Sequence, residues 1–280
     1  MARIIAGVGS SHVPAIGTAM DRGQTTTPYF APLFAGFEAA RKWMAEVKPD
    51  LCLIVYNDHA NAFSLEVIPT FGIGVAGTFP IADEGWGPRP VPPVTGHPEL
   101  AWHLAESLIL DEFDMTIFNE MPVDHGLTVP MSIVWGQCQA WPCPVIPLMV
   151  NVVQYPPPTG LRCYKLGQAI RRAIEAFPRD MRIVVFGTGG LSHQLHGTRA
   201  GLINKEFDQA FMDDLTRDPA RLAAIPHATY MREAGSEAVE LVMWLVMRGA
   251  LDADVREIYR HYHVPASNTA AGLIILENGR

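Results

Sequence analysis

Residues 53–63 read LIVYNDHANAF. Leu53, Ile54, Val55 and Tyr56 form an apolar, partly β-branched run of the kind that fills a sheet core. Asn57, Asp58 and His59 follow without a break. A run with no polar alternation predicts a strand covered on both faces, and therefore a layered α/β protein. The polar triplet at its exit reads either as a solvated end or as part of a site. Solvent exposure is the expectation for Asp58, with a turn cap or an acceptor for His59 as its other roles.

Working outward, six more apolar runs read as strands: 3–9, 65–75, 115–119, 145–153, 182–187 and 269–276. Helix-like stretches lie between most of them, at 32–46, 98–110, 161–176, 201–216 and 236–249. This alternation predicts a single layered α/β domain over residues 1–280, with a central sheet flanked by helices on both faces. The runs 51–56 and 65–75 are close together, which favours a mixed sheet over a purely parallel one.

Composition narrows the function classes. A formal net charge of −8 argues against a general nucleic-acid binder, because such a protein needs a basic face for phosphates. Cys52, Cys138, Cys143 and Cys163 contain no Cys-x-x-Cys pair, so no disulfide framework is expected and the cytoplasm is the default compartment. No signal-peptide pattern opens the chain, and no apolar stretch is long enough to span a bilayer. The segment 82–99, ADEGWGPRPVPPVTGHPE, is too rich in Gly and Pro for regular structure. It reads as a surface loop in which Trp86 and Arg89 could face an aromatic or anionic ligand.

Four histidines share a setting, after an apolar strand or in a loop of small residues. They are His12 in GSSHVPA, His59, His125 in VDHGLTVP and His193 in GTGGLSHQLHG. Ligands of open α/β sheets bind beyond the carboxyl ends of the strands, so these four are expected to converge. His97, His103, His227, His261 and His263 lack that setting and read as surface or supporting residues, with His196 undecided. Residues 236–249, SEAVELVMWLVMRG, read as a buried helix opening at a Ser cap with Glu237 in a capping box. Glu240 is surrounded there by apolar neighbours and needs a partner, a metal or an arginine, unless one polar face of the helix turns to water. Two imidazoles and a carboxylate suit a non-haem Fe(II) oxygenase or a hydrolytic zinc site. The glycine turn before His193 is a poor match to a dinucleotide fingerprint, and reads instead as a tight turn that aims His193 inward.

The motifs SSHVPA, VYNDHANAF, DEGWGPRPVP, VDHG, GTGGLSHQL, SEAVELVMWL and HVPASNT, in this order, resemble the class III extradiol ring-cleavage dioxygenases. The likeness is greatest to the catalytic β subunits of the protocatechuate 4,5-dioxygenase type. The resemblance implies Fe(II) held by His12, His59 and Glu240, with His193 as acid/base and His125 near a substrate hydroxyl. It implies that Ser267 and Asn268 hold the substrate carboxylate and that Asn57 lies beside the iron and the substrate. The implied reaction is O2-dependent cleavage beside two adjacent hydroxyls, on protocatechuate giving 4-carboxy-2-hydroxymuconate semialdehyde, with gallate or 3-O-methylgallate as the alternative substrate. A zinc hydrolase or a metal-binding protein is the reading from another class. The implied partner is a small helical α chain in an α2β2 assembly.

Overall fold

The computed structural model describes residues 1–279. In chain order its strands are β1 (Arg3–Ser10), β2 (Leu51–Tyr56), β3 (Phe71–Gly74), β4 (Thr78–Phe79), β5 (Val94–Thr95), β6 (Met115–Phe118), β7 (Val145–Val150), β8 (Arg182–Thr188), β9 (Val255–Ala266) and β10 (Thr269–Asn278). Eight of these form one mixed sheet in the order β6-β3-β7-β2-β8-β1-β10-β9, while β4 and β5 pair separately. The central strands β7, β2, β8 and β1 run parallel, whereas β3 meets β7 and β10 meets β1 antiparallel. This is the mixed α/β sheet that the sequence predicts.

Strand β2 shows why. All six of its side chains are buried, and they alternate between two cores. Leu51, Leu53 and Val55 pack with α4 (Pro98–Leu110), α6 (Gly160–Ala176) and α10 (Val242–Ala250). Cys52, Ile54 and Tyr56 pack with α1 (Pro14–Asp21), α3 (Glu38–Val47) and α5 (His125–Trp135). A strand covered on both faces has no use for a polar side chain, hence its unbroken apolar run.

The α10 helix lies very close to its neighbours. A Cβ on Gly167 would stand 2.1 Å from the Val246 carbonyl oxygen, and one on Gly249 would stand 2.1 Å from that of Tyr164. Only hydrogen-sized side chains fit where α6 and α10 cross. Likewise a Cβ on Gly187 of β8 would stand 2.6 Å from the Met243 carbonyl oxygen. The glycines set α10, and with it the turn that precedes it, close under the sheet.

Several elements depart from expectation. Only Phe71–Gly74 of the stretch 65–75 is strand, and Leu65 and Val67 are exposed. The stretch 32–46 splits into α2 (Ala31–Ala35) and α3 around Gly36, whose position is crowded by the His261 ring. The last buried helix begins as a 3-10 turn, Ser236–Leu241, with no side-chain cap. Glu237 directly follows Ser236, one position on rather than the three a capping box requires, and Ser236 Oγ bonds the Glu237 carboxylate at 2.7 Å. The α1 and α5 helices and the edge strand β9 were not expected. The remaining helices are α7 (Lys205–Arg217), α8 (Pro219–Ala223) and α9 (His227–Glu233). Among the described residues no helix is long and apolar enough to cross a membrane.

Candidate active site

Because β1, β2 and β8 are parallel neighbours, their carboxyl ends reach one edge of the sheet. The segments that follow carry His12, Asn57 to His59, and Gly189 to His193. The β9–β10 hairpin turns at the same edge, since β10 runs antiparallel to β1, and it brings Ser267 and Asn268. A cavity of about 470 Å³ opens there, lined in part by His12, His59, His125, His193, Ser267 and Asn268. The expected convergence is therefore present.

Glu240 rises from the 3-10 turn into the middle of the group. Its Oε1 lies 3.4 Å from His12 Nε2 and 3.7 Å from His59 Nε2. Its Oε2 accepts the Gly190 N–H at 2.8 Å and lies 3.8 Å from His193 Nε2. Gly189 lets the chain pass: at φ +103 a Cβ there would stand 2.6 Å from the Glu240 Cβ. Burial opposes the Glu240 charge, but the facing imidazoles of His12, His59 and His193 hold its pKa well below the usual carboxylate range.

Both flanking histidines are held from behind. Thr188 Oγ1 meets His12 Nδ1 at 3.1 Å. Asp124 Oδ2 accepts the His59 backbone N–H at 2.8 Å and the ring Nδ1–H at 2.9 Å. Each ring thus has its Nδ1 engaged and its Nε2 turned toward Glu240, the arrangement by which oxygen partners orient metal-binding imidazoles. Without an ion, burial lowers the His59 pKa while Asp124 and Glu240 raise it, and the net result is about 10. Asn57 is fully buried, with Nδ2 at 3.0 Å from His59 Nε2 and 3.4 Å from Glu240 Oε1, and its buried Oδ1 has no partner. It stands behind the group rather than in the cavity wall.

The donor set suits a divalent ion: two imidazole nitrogens and a carboxylate converge, His12 and Glu240 buried and His59 partly so. Two other groups bring ligand atoms within 4.8 Å of one another, His12 with His59 and His125, and Glu84 with Asp124 and His125. The His59 and His125 rings, however, are stacked at 3.9 Å and 29°. Lone pairs lie in the ring plane, so stacked rings aim past one another instead of at one ion. His12 stands edge-on to His59, at 5.0 Å and 81°.

Two supporting carboxylates escaped the sequence reading. Asp124 immediately precedes His125 and caps α5 through the Gly126 N–H, and the motif VDHG held its signal. Glu84, in DEGWGPRPVP, accepts the His125 N–H at 2.9 Å and also accepts the ring Nδ1–H. Asp58 is 6% exposed, which corrects the expectation of solvent exposure. Its carboxylate accepts the N–H groups of Asn61, Ala62 and Phe63, so it caps the turn and leaves His59 to Asp124. Arg89 forms a two-bond pair with Asp21, reaches Thr128 and Ser132, and with Trp86 lines a second cavity, of about 360 Å³, that His125 also borders. Trp86 is 93% exposed.

His193 donates Nδ1–H to the Leu191 carbonyl at 2.9 Å, which leaves Nε2 unprotonated on the cavity side in the neutral ring. His97 caps α4, while His103 and His227 bond backbone carbonyls. His196 lines the cavity.

Residues 6–272 match the family described as the catalytic LigB subunit of aromatic ring-opening dioxygenase. The chain belongs to the LigB family. Among LigB-like relatives, a gallate dioxygenase of Pseudomonas putida is 47% identical over 198 residues, covering 71% of this chain and 58% of that protein. A 2,3-dihydroxyphenylpropionate/2,3-dihydroxicinnamic acid 1,2-dioxygenase of Comamonas testosteroni is 30% identical over 263 residues, covering 78% of this chain and 80% of the relative. The crystal structure of an uncharacterized protein from Escherichia coli K12 superposes with a TM-score of 0.58 at 14% identity, over 98% of this chain and 100% of that one. That likeness concerns the LigB fold alone.

Proposed function

We propose that this chain is a non-haem Fe(II)-dependent extradiol dioxygenase that opens a carboxylated aromatic ring beside two adjacent hydroxyls, with gallate ahead of protocatechuate as substrate. The observation that carries the reading is the approach of His12 and His59 Nε2 to one Glu240 oxygen, at 3.4 and 3.7 Å. Two imidazoles and one carboxylate form the donor set of non-haem Fe(II) oxygenases, with positions left for substrate and O2. The sequence reading put protocatechuate first and gallate second. The 47% identity to a gallate dioxygenase, over 58% of that protein, supports gallate first.

Fe(II) held by His12, His59 and Glu240 would bind adjacent hydroxyls and O2 and lower the hydroxyl pKa. The chain's own residues supply the rest. His193 Nε2 faces the cavity as a general base for a substrate hydroxyl, and the resulting imidazolium returns the proton as a general acid. Ser267 and Asn268, which line the same cavity, offer hydrogen bonds to the carboxylate. Ser267 is itself placed by its backbone N–H, which donates to Tyr29 Oη at 2.9 Å. The same proposal includes a small helical chain covering the mouth in an α2β2 assembly. Exposed Val153 and Leu195, which line the cavity, support it, since they leave apolar surface beside the site.

The test is anaerobic Fe(II) reconstitution followed by O2-uptake measurements with gallate, protocatechuate and 3-O-methylgallate. One O2 consumed per gallate, with lower kcat/KM for the other two, is expected. No uptake with any of them, or hydrolysis supported by Zn(II) alone, overturns the proposal.

A further inference from the structure

Glu84 belongs to a loop that is fastened at several points. Asp83 Oδ1 accepts the N–H groups of Gly85 and Gly87, each at 2.9 Å. Before the loop, Ala82 N–H donates to the Val123 carbonyl at 2.9 Å, next to the start of α5. After it, Arg89 is locked to Asp21 by bonds of 2.9 and 2.8 Å and reaches Thr128 and Ser132 on α5. The loop is therefore tied to the same helix that begins with His125. Between these ties Glu84 turns back and takes both donors of His125, the backbone N–H and the ring Nδ1–H.

An ionised carboxylate only accepts hydrogen bonds. Its contact with Nδ1 therefore fixes the proton of neutral His125 on that nitrogen and leaves Nε2 as an acceptor. His125 lines the cavity, and its ring packs flat against His59 and edge-on to His12 at 5.5 Å. Its rotation is thus set on one side by Glu84 and on the other by the two histidines. We infer that Glu84 is a positioning residue of the ring-cleavage site, holding His125 with Nε2 ready to accept a hydrogen bond from a substrate hydroxyl. This inference rests on reading the cavity as the substrate site. It gives the Gly- and Pro-rich loop a purpose distinct from ligand contact by Trp86 or Arg89.

A glutamine offers one acceptor oxygen for the two His125 donors, so Glu84→Gln removes the geometry while nearly keeping the shape. The first measurement uses metal-free protein labelled with 15N-histidine. His125 is expected as a single tautomer protonated at Nδ1, and as a mixture in Glu84→Gln and Glu84→Ala. Asp83→Asn disturbs the same loop without touching His125 and is expected to keep the single tautomer. The second measurement uses Fe(II)-reconstituted protein. Glu84→Gln is expected to lower kcat/KM for gallate about 10- to 100-fold with unchanged iron content. In a His125→Ala background the same substitution should add no further loss, because a residue acting through another is not additive with it. An unchanged His125 tautomer in Glu84→Gln, equal losses in both backgrounds, or loss of iron each overturns the inference. Absence of ring cleavage in the unmodified protein would instead overturn the functional proposal, and the tautomer measurement would still decide the role of Glu84.

Discussion

Asp124 holds His59 twice through one oxygen, accepting its backbone N–H at 2.8 Å and its ring Nδ1–H at 2.9 Å. The other Asp124 oxygen caps α5 through Gly126 N–H at 2.9 Å. One side chain thus joins the exit of β2 to the start of α5 and turns His59 Nε2 toward Glu240.

The two duties separate by substitution. Asp124→Asn keeps an acceptor for the helix cap but puts an amide where His59 needs an acceptor. Metal affinity is expected to fall about 10- to 100-fold, with stability nearly retained. Asp124→Ala should lose about 1 kcal/mol of stability in addition, as helix caps do. Chelator competition and urea unfolding check both, and unchanged affinity in Asp124→Asn contradicts the orienting role.

Glu240 and His193 should differ in kind. Glu240→Ala is expected to lose the bound iron, since one of three protein donors is gone. His193→Ala is expected to keep its iron and lose about 10²- to 10⁴-fold in turnover, the usual range for a general acid–base. Metal analysis beside steady-state rates tests the pair, and full iron occupancy in Glu240→Ala would count against the donor set.

For Ser267→Ala the expected change is selective. KM for gallate or protocatechuate should rise while catechol, which lacks the carboxylate, is little affected. Equal changes for all three compounds would move the carboxylate position elsewhere in the cavity.

Gly167→Ala tests the helix crossing that supports Glu240. The added Cβ meets the Val246 carbonyl oxygen at 2.1 Å and the Ala250 nitrogen at 2.8 Å. Backbone cannot move aside as a flexible side chain can, so a loss of about 1–3 kcal/mol is expected. Denaturant unfolding measures it, and an unchanged midpoint refutes the close packing.

Asp208 carries a pH signature of its own. Burial raises its pKa to about 6, against the hydrogen bonds it accepts from Ser192 and Tyr262. The folded value lies above the unfolded one, about 3.9. Its contribution to stability is therefore complete below about pH 4 and is lost as pH rises through about 6. The stability of the protein relative to Asp208→Asn should fall across that window in urea titrations. A difference independent of pH there would show that Asp208 does not titrate as its burial implies.

The central strands were legible because both faces of β2, β7 and β8 are covered, which forces the apolar runs that mark them. The α5 helix was hidden by the opposite effect of the same burial. Ten of its residues, His125 to Val134, are buried, so it shows no amphipathic period, and Pro130 breaks the helical signal further. Strand β9 lies at the sheet edge, mixes apolar with charged residues and is half-exposed, which conceals it from an apolar pattern. At the site, convergence of His12, His59, His125, His193 and Glu240 followed from their positions after strands and inside an apolar helix. Asp124 and Glu84 did not, because a carboxylate in a loop carries no local mark of what it will face. Asp58 misled for the same reason: a polar residue beyond a strand reads as solvated until its turn is seen to fold over it.

The distance along the chain between His12 and Glu240 is 228 residues. His12 therefore leaves the ribosome well before Glu240. No nascent chain that stops short of Glu240 carries all three donors of the proposed metal site, so that site can form only once Glu240 has been made. A chain cut before residue 240 would keep both histidines without the carboxylate that faces them.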